Sequence, residues 1–273
     1  MSAGAGENEA CPSGPFALAL GTMLAAIRLP LPPMGSASPM LRRSASAVPS
    51  NATALVQEVH ANGAHKAAFY LAAGRIVAYR QWRDTGQVEL EYALRDGVKH
   101  GKEYHFYADG RLRAEESYYR GKRHGVGRQW SARGRLLVQW RLTQGVGRSL
   151  WCDPETGLLS EEQLRPPKQS PGYVRHWNLD QCTICQEYFF LLGKGYHGIW
   201  REWDAQGRLR RGFPRFFVRG RRVRKGQYLE ACLTRRALPP YCREDDDPHR
   251  QLPCEYVIQR KRRARPRSHG DSE

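Results

Sequence analysis

Apolar and polar residues alternate in short runs through the middle of this chain, and glycine punctuates the runs at a fixed interval. The longest run reads Leu136, Val138, Trp140, Leu142, with polar or basic residues between them. Period-two spacing of this kind predicts a half-buried β-strand. An aromatic stands four residues before an inner glycine at Trp82/Gly86, Phe106/Gly110, Trp130/Gly134 and Trp203/Gly207. An aliphatic follows that glycine by two residues at Val88, Leu112, Leu136, Leu159 and Leu209. Gly86, Gly110, Gly134 and Gly157 step by 24, 24 and 23, and the outer glycines Gly97, Gly121 and Gly145 by 24 and 24. Self-similarity at such a period marks an array of small units.

Each unit is predicted as a strand up to the aromatic, a turn at the inner glycine and a strand away from it, the glycine supplying positive φ. The outer pieces Gly97-Val98-Lys99-His100-Gly101, Gly121-Lys122-Arg123-His124-Gly125 and Lys194-Gly195-Tyr196-His197-Gly198 predict a second turn into the next unit. The expected fold is all-β: an elongated single-layer antiparallel β-meander with one aromatic-rich face, stabilised by neighbours stacking along the array. Most Trp, Tyr and Leu positions are core in this reading. The expected organisation is a leader or linker over 1–55, an array over 56–160, and a Pro- and Cys-containing insertion over 161–193. A further repeat with a capping helix follows over 194–233, then a charged, disordered tail over 234–273.

These pieces, together with Tyr107–Gly121, Ser131–Trp140 and Tyr196–Gly212, resemble MORN repeats, and more closely the shorter variant of bacterial YwqK-type antitoxin-like proteins. The resemblance covers about 65–160 and 194–226, and the copy at 145–157 departs from it with Val146-Gly147-Arg148 where His-Gly stands elsewhere. It implies MORN-like hairpin repeats of about 24 residues that act in protein or membrane-surface association. The expected function is therefore a non-enzymatic protein-interaction module, antitoxin-like in the resembled family. Tyr104, Tyr119 and Trp200 are its contact candidates, because aromatics concentrate interface energy. Gly97, His100, Gly101, Gly110, Gly121, His124, Gly125, Gly134, His197, Gly198 and Gly207 define the turns.

Charge adds a second reading. The 273 residues carry a net charge of +17. Arg111, Arg113, Arg133, Arg135, Arg141, Arg208, Arg210 and Arg211 are expected on the solvent face opposite the aromatics, and Arg260 to Arg267 concentrate charge in the tail. A basic surface attracts nucleic acid, anionic lipid or an acidic protein. The acidic run Glu244–Asp247 is expected to pair with the basic tail or to sit in water. The apolar run 16–27 has the length of a signal h-region, but Glu7 and Glu9 precede it and no Lys or Arg does. A cytoplasmic location is expected, with export as the alternative.

The chemical motifs are sparse. Cys182-Thr183-Ile184-Cys185 offers two thiols three apart, a metal or dithiol alternative for which His176, His197 and Cys152 stand at irregular spacing. Gly193 to Gly198 satisfies G-x-G-x-x-G, yet a repeat strand follows it rather than a helix, so no dinucleotide site is expected. His100, His124 and His197 recur without a nucleophile or carboxylate beside them, which favours turn-bracing over acid–base work. No enzymatic activity, cofactor, metal or small-molecule substrate is expected.

Overall fold

In a computed structural model, which describes residues 46–180, 183–235 and 237–250, the chain forms one open antiparallel sheet of 16 strands. They are β1 (Thr53–Val59), β2 (His65–Ala72), β3 (Arg75–Trp82), β4 (Val88–Arg95), β5 (Val98–Phe106) and β6 (Leu112–Tyr119). Next come β7 (Lys122–Arg123), β8 (Gly125–Trp130), β9 (Leu136–Thr143), β10 (Val146–Cys152) and β11 (Leu159–Arg165). The last are β12 (Gly172–Trp177), β13 (Ile184–Leu191), β14 (Gly195–Glu202), β15 (Arg215–Val218) and β16 (Arg221–Val223), followed by helix α1 (Lys225–Thr234). Spatial order follows chain order throughout, with the two-residue β7 paired to β6 beside the main path. This is the predicted meander.

The turns explain the glycine step. Asp96-Gly97, Arg120-Gly121 and Gln144-Gly145 have positive φ at both residues (52° and 75°, 50° and 77°, 54° and 84°). That is the two-residue hairpin geometry whose twist matches the strands, and glycine suits its second position. Each later turn is tied to the hairpin before it: Gly121 N donates to Lys99 O at 2.8 Å and Gly145 N to Arg123 O at 2.8 Å. On the opposite edge Gly110, Gly134 and Gly207 close longer turns by donating to Tyr107 O, Ser131 O and Asp204 O at 3.0, 2.8 and 3.0 Å. There the residues after two of the aromatics reach the next unit: Arg83 Nη2 donates to Phe106 O at 3.2 Å and Tyr107 OH to Trp130 O at 2.7 Å.

The sequence pattern misplaces one feature of every unit. A register shift falls at the aromatic in five hairpins, between Gln81/Trp82, His105/Phe106, Gln129/Trp130, Trp151/Cys152 and His176/Trp177. Such a bulge adds one residue to one strand and reverses which face the following residues occupy. Leu136 therefore pairs with Trp130, while Val138 and Trp140 pair with Gln129 and Gly127 on the other face. The expected single apolar stripe Leu136–Leu142 is divided between two faces, and the expected split into one aromatic and one basic face does not form.

Instead a row of charge runs through the middle of one face. The register joins Arg80, Glu91, Tyr104, Glu115, Arg128 and Gln139, then Leu150, Glu162, Arg175, Glu187 and Arg201. Arg80 Nε donates to Glu91 at 2.8 Å, and Arg128 Nη1 lies 2.9 Å from Glu115. Arg175 bridges Glu162 at 3.7 Å and Glu187 at 2.8 Å. Glu91, Glu162, Glu187 and Arg201 are essentially buried. On the same face, sharing Tyr104 and Leu150 with the row, lie the apolar clusters Tyr104/Phe106/Leu112/Trp130/Leu136 and Leu150/Leu159/Trp177/Ile184/Trp203.

Three expected boundaries move. Within the expected leader, Ala47, Val48 and Ala52 pack on this face, and Ala47 N donates to Glu91 at 2.8 Å. The segment expected to interrupt the array, 161–193, instead carries β12 and β13 as consecutive strands of the meander, its prolines confined to the turn between β11 and β12. Within the expected tail, residues 237–250 fold back: Arg201 Nε donates to Asp246 at 2.8 Å and Arg250 Nη2 to Glu187 at 2.6 Å. The acidic run thus pairs with the sheet as well as with Arg250. The capping helix forms over Lys225–Thr234, with Tyr228 fully buried against Phe216. Residues 1–45 (with the 16–27 run), Cys182 and the basic run beyond Arg260 lie outside the described residues.

Burial alone would raise the Glu187 carboxyl, but Arg175, Arg250 and Arg201 surround it and hold it below the ordinary 4.5. Its contribution is present above that value and is lost as pH falls through the folded one. Replacing Glu187 by Ala strands three arginines, and removal of one partner from a buried pair costs about 3–5 kcal/mol. A loss of that size is expected in urea denaturation at pH 7.

Candidate interaction surface

The face opposite the charge row carries two clusters. Over β13–β15, Tyr188, Tyr196, Trp200 and Phe213 are half-buried and Phe217 is buried. Tyr196 and Trp200 stack with centroids 4.7 Å apart, Tyr188 meets Tyr196 edge-on at 5.5 Å, and Phe213 meets Trp200 edge-on at 6.0 Å. The Arg215 guanidinium lies 4.2 Å from the Phe213 centroid and 5.8 Å from that of Trp200. Period-two alternation along β14 places Tyr196 and Trp200 together despite a register shift between Tyr188 and Phe190. Trp200 Nε1 is buried without a hydrogen-bond partner.

Over β5, β6, β8 and β9 the same face opens into a cleft of about 430 Å³ lined by Glu103, His105, Arg113, Glu116, Tyr118 and Arg123 among others. Glu103 and Glu116 face each other across β5 and β6 and are buried. His105 Nε2 lies 2.7 Å from Glu103, which also binds the Lys99 ammonium, while Arg123 Nε and Tyr118 OH donate to Glu116 at 2.8 and 2.7 Å. Burial pushes Glu103 up, but the hydrogen bonds from His105 and Lys99 outweigh it, so the carboxyl stays below its ordinary value. Burial and the Glu116 carboxylate push the Tyr118 phenol up to about 12. The cleft is a charge-compensated network in which every carboxylate has a cation, an arrangement that holds strands rather than one that leaves a base free.

The predicted residues separate by location. Tyr104 is not a surface residue: it is 8% exposed, inside the apolar cluster with Phe106 and Trp130. It stands two residues before the aromatic of its unit, and period two alone assigns it to the buried face. Trp200 lies in the aromatic cluster. Tyr119 lies at the outer-turn edge, 38% exposed, its ring between His100 at 5.0 Å and His124 at 5.6 Å. Gly101, Gly125 and Gly198 are not turn residues but lie within β5, β8 and β14 with φ of 103°, 95° and 137°.

Two recurring histidines brace the next turn. His124 Nδ1 accepts from Gln144 N at 3.4 Å, and His197 Nδ1 accepts from Arg219 N at 3.0 Å. No group of three or more His, Cys, Asp or Glu among the described residues is arranged to hold a metal. The Cys185 thiol lies half-buried, 3.5 Å from His176 O, and burial raises it further from the thiolate form. No described helix is long and apolar enough to cross a membrane.

No family model matches this chain, and no curated protein matches it. Among solved structures it is similar to a chain of the Glycosylation Associate Protein (Gap123) complex from Streptococcus agalactiae, with 14% identity and a TM-score of 0.29. That match covers 45% of this chain and 22% of the other. A chain in the crystal structure of accessory secretory protein 1, 2 and 3 in Streptococcus pneumoniae matches with 14% identity and a TM-score of 0.17, over 45% of this chain and 23% of that one. This chain thus spans less than a quarter of either neighbour's length.

Burial, with Arg219, Arg235 and Lys194 nearby, holds the His197 imidazole below its ordinary 6.5. The unfolded chain then binds the proton more readily, so His197's contribution to stability is present above 6.5 and falls as pH drops through it. Thermal unfolding between pH 7.5 and pH 5.5 is expected to show this loss in the wild type. In His197→Gln that part of the pH dependence is expected to disappear.

Proposed function

We propose that the protein is a non-enzymatic interaction scaffold of the MORN-repeat type whose partner is another protein. The aromatic cluster around Trp200 supports this reading. It sets four half-buried rings and an arginine on one face of a rigid sheet, and aromatics and arginine carry most of the energy in protein interfaces. An antitoxin-like role is the form of this reading in which the partner is a toxin.

The test is affinity enrichment from the native host with wild-type protein, Trp200→Ala and Arg215→Ala, after circular dichroism has established that the variants fold. A partner enriched by the wild type is expected to bind about thirtyfold more weakly to Trp200→Ala, the scale of an interface hot spot. A partner set unaffected by both substitutions would place the contact elsewhere and end the proposal.

A further inference from the structure

The two edges of the sheet differ in charge. In a meander alternate turns fall on opposite edges, and the edge closed by Gly110, Gly134 and Gly207 mixes both signs: Asp84, Asp109, Asp153, Asp180 and Asp204 stand in five of its turns, with Arg83, Arg111, Arg133, Arg135 and Arg208 among them. Several of these are occupied locally, Asp109 by Arg111 and Asp204 by Arg208. The other edge is nearly free of acid. Arg75, Arg95, Arg120, Lys168, Lys194 and Arg219 are exposed at or beside six of its seven turns, Gln144 stands at the seventh, and Asp96 is the one carboxylate in those turns. A solubilising surface needs no such segregation, because charges of mixed sign serve as well.

We infer that this outer-turn edge binds single-stranded nucleic acid, with the phosphates along the row of cations. Two features favour a flexible polymer. Successive outer turns lie two strands apart, about 9.5 Å, so the cations form a line one turn wide rather than a patch. Adjacent strands also rotate by roughly 20–25°, so the edge winds through most of a revolution over the fifteen strands of the main path. A flat bilayer meets a winding edge at only a turn or two, whereas a single strand follows it. The third feature is aromatic. A groove of about 450 Å³ between two outer turns is lined by Arg95, Asp96, Val98, His100, Tyr119 and Arg120. Within it Tyr119 is exposed and braced by two imidazoles, with the Arg120 guanidinium 5.5 Å from its ring. A phenol ring beside a line of cations is the pairing by which proteins hold single strands without reading sequence. This surface is separate from the aromatic cluster at Trp200, and the two readings stand or fall apart.

The experiment is fluorescence anisotropy on the full-length chain with labelled oligothymidylate of increasing length, across a salt series. Duplex DNA of equal charge and vesicles containing phosphatidylserine serve as comparison arms. Affinity is expected to rise with length and to fall with salt at a logarithmic slope of about −0.7 per phosphate neutralised. The double charge reversal Arg95→Glu with Arg120→Glu, both lining that groove, should weaken binding at least tenfold and flatten that slope. Tyr119→Ala should weaken it by about tenfold, the scale of one base–aromatic stack, and leave the slope unchanged. Absence of binding at low salt, tighter binding to the duplex or the vesicles, or oligothymidylate affinity untouched by the charge reversal would each overturn the inference. The last result would assign the binding to cations elsewhere in the chain.

Discussion

A single layer of β-sheet has no second layer to bury its centre, and the charge row is how this chain meets that constraint. Long side chains lie flat across neighbouring strands, and each arginine covers the carboxylates beside it while pairing with them. Desolvating such groups is costly, so the gain lies less in net stability than in specificity. Arg175 fits between Glu162 and Glu187 in one register only. A slip of one residue would send these charges to the other face and bring Tyr188 or Val174 into the row. The apolar clusters along Phe106–Trp130 and Trp177–Trp203 depend on that register, because they lie two residues from the row on the same strands. Chain segments outside the meander finish both ends: Ser46 and Ala47 bond to Arg80 and Glu91, and Asp246 and Arg250 to Arg201 and Glu187.

With its centre locked, the sheet has other surfaces left to offer a partner. The reverse face holds the aromatic cluster at one end and a self-satisfied polar cleft further along. The two edges differ in charge: one set of turns mixes acid and base, and the other carries base almost alone. This division follows from the meander, whose alternate turns fall on opposite edges. It also accounts for the recurring histidines, which His124 and His197 show to be part of the turn machinery.

What was legible in the sequence was whatever repeats with a backbone cause. Glycine at the second position of a two-residue hairpin and at the end of the longer turns fixes the unit length, and the meander follows. Tyr104 was legible in principle, since counting by two from Phe106 places it in the core. The divided stripe Leu136–Leu142 was not, because an inserted residue at Leu137 has no compositional mark. Nor were β12 and β13, whose prolines sit in a turn and resemble a break. The folded segment 237–250 escaped for a different reason. Its acids are matched to Arg201, which is distant in sequence, and charge complementarity over that range has no period to detect.

The row also has a direction. Within each hairpin across the aromatic edge the first strand supplies Arg80, Arg128 or Arg175, with Tyr104 and Leu150 as neutral members, and the second supplies Glu91, Gln139 or Glu187, with Glu115 and Glu162. Arg80–Glu91 and Arg175–Glu187 are thus ordered positive before negative, and the three hairpins between them each hold one neutral member. Arg201 begins one more such pair, but the next strand, β15, pairs with Gly198–Trp200 and stops short of Arg201, and the bridge at Trp203 and Leu209 brings no acid into the row. Asp246, arriving from 45 residues further along, stands where that missing partner would be. The acidic run in the C-terminal segment is thus a terminator: it neutralises the last positive end and closes the polarity of the array.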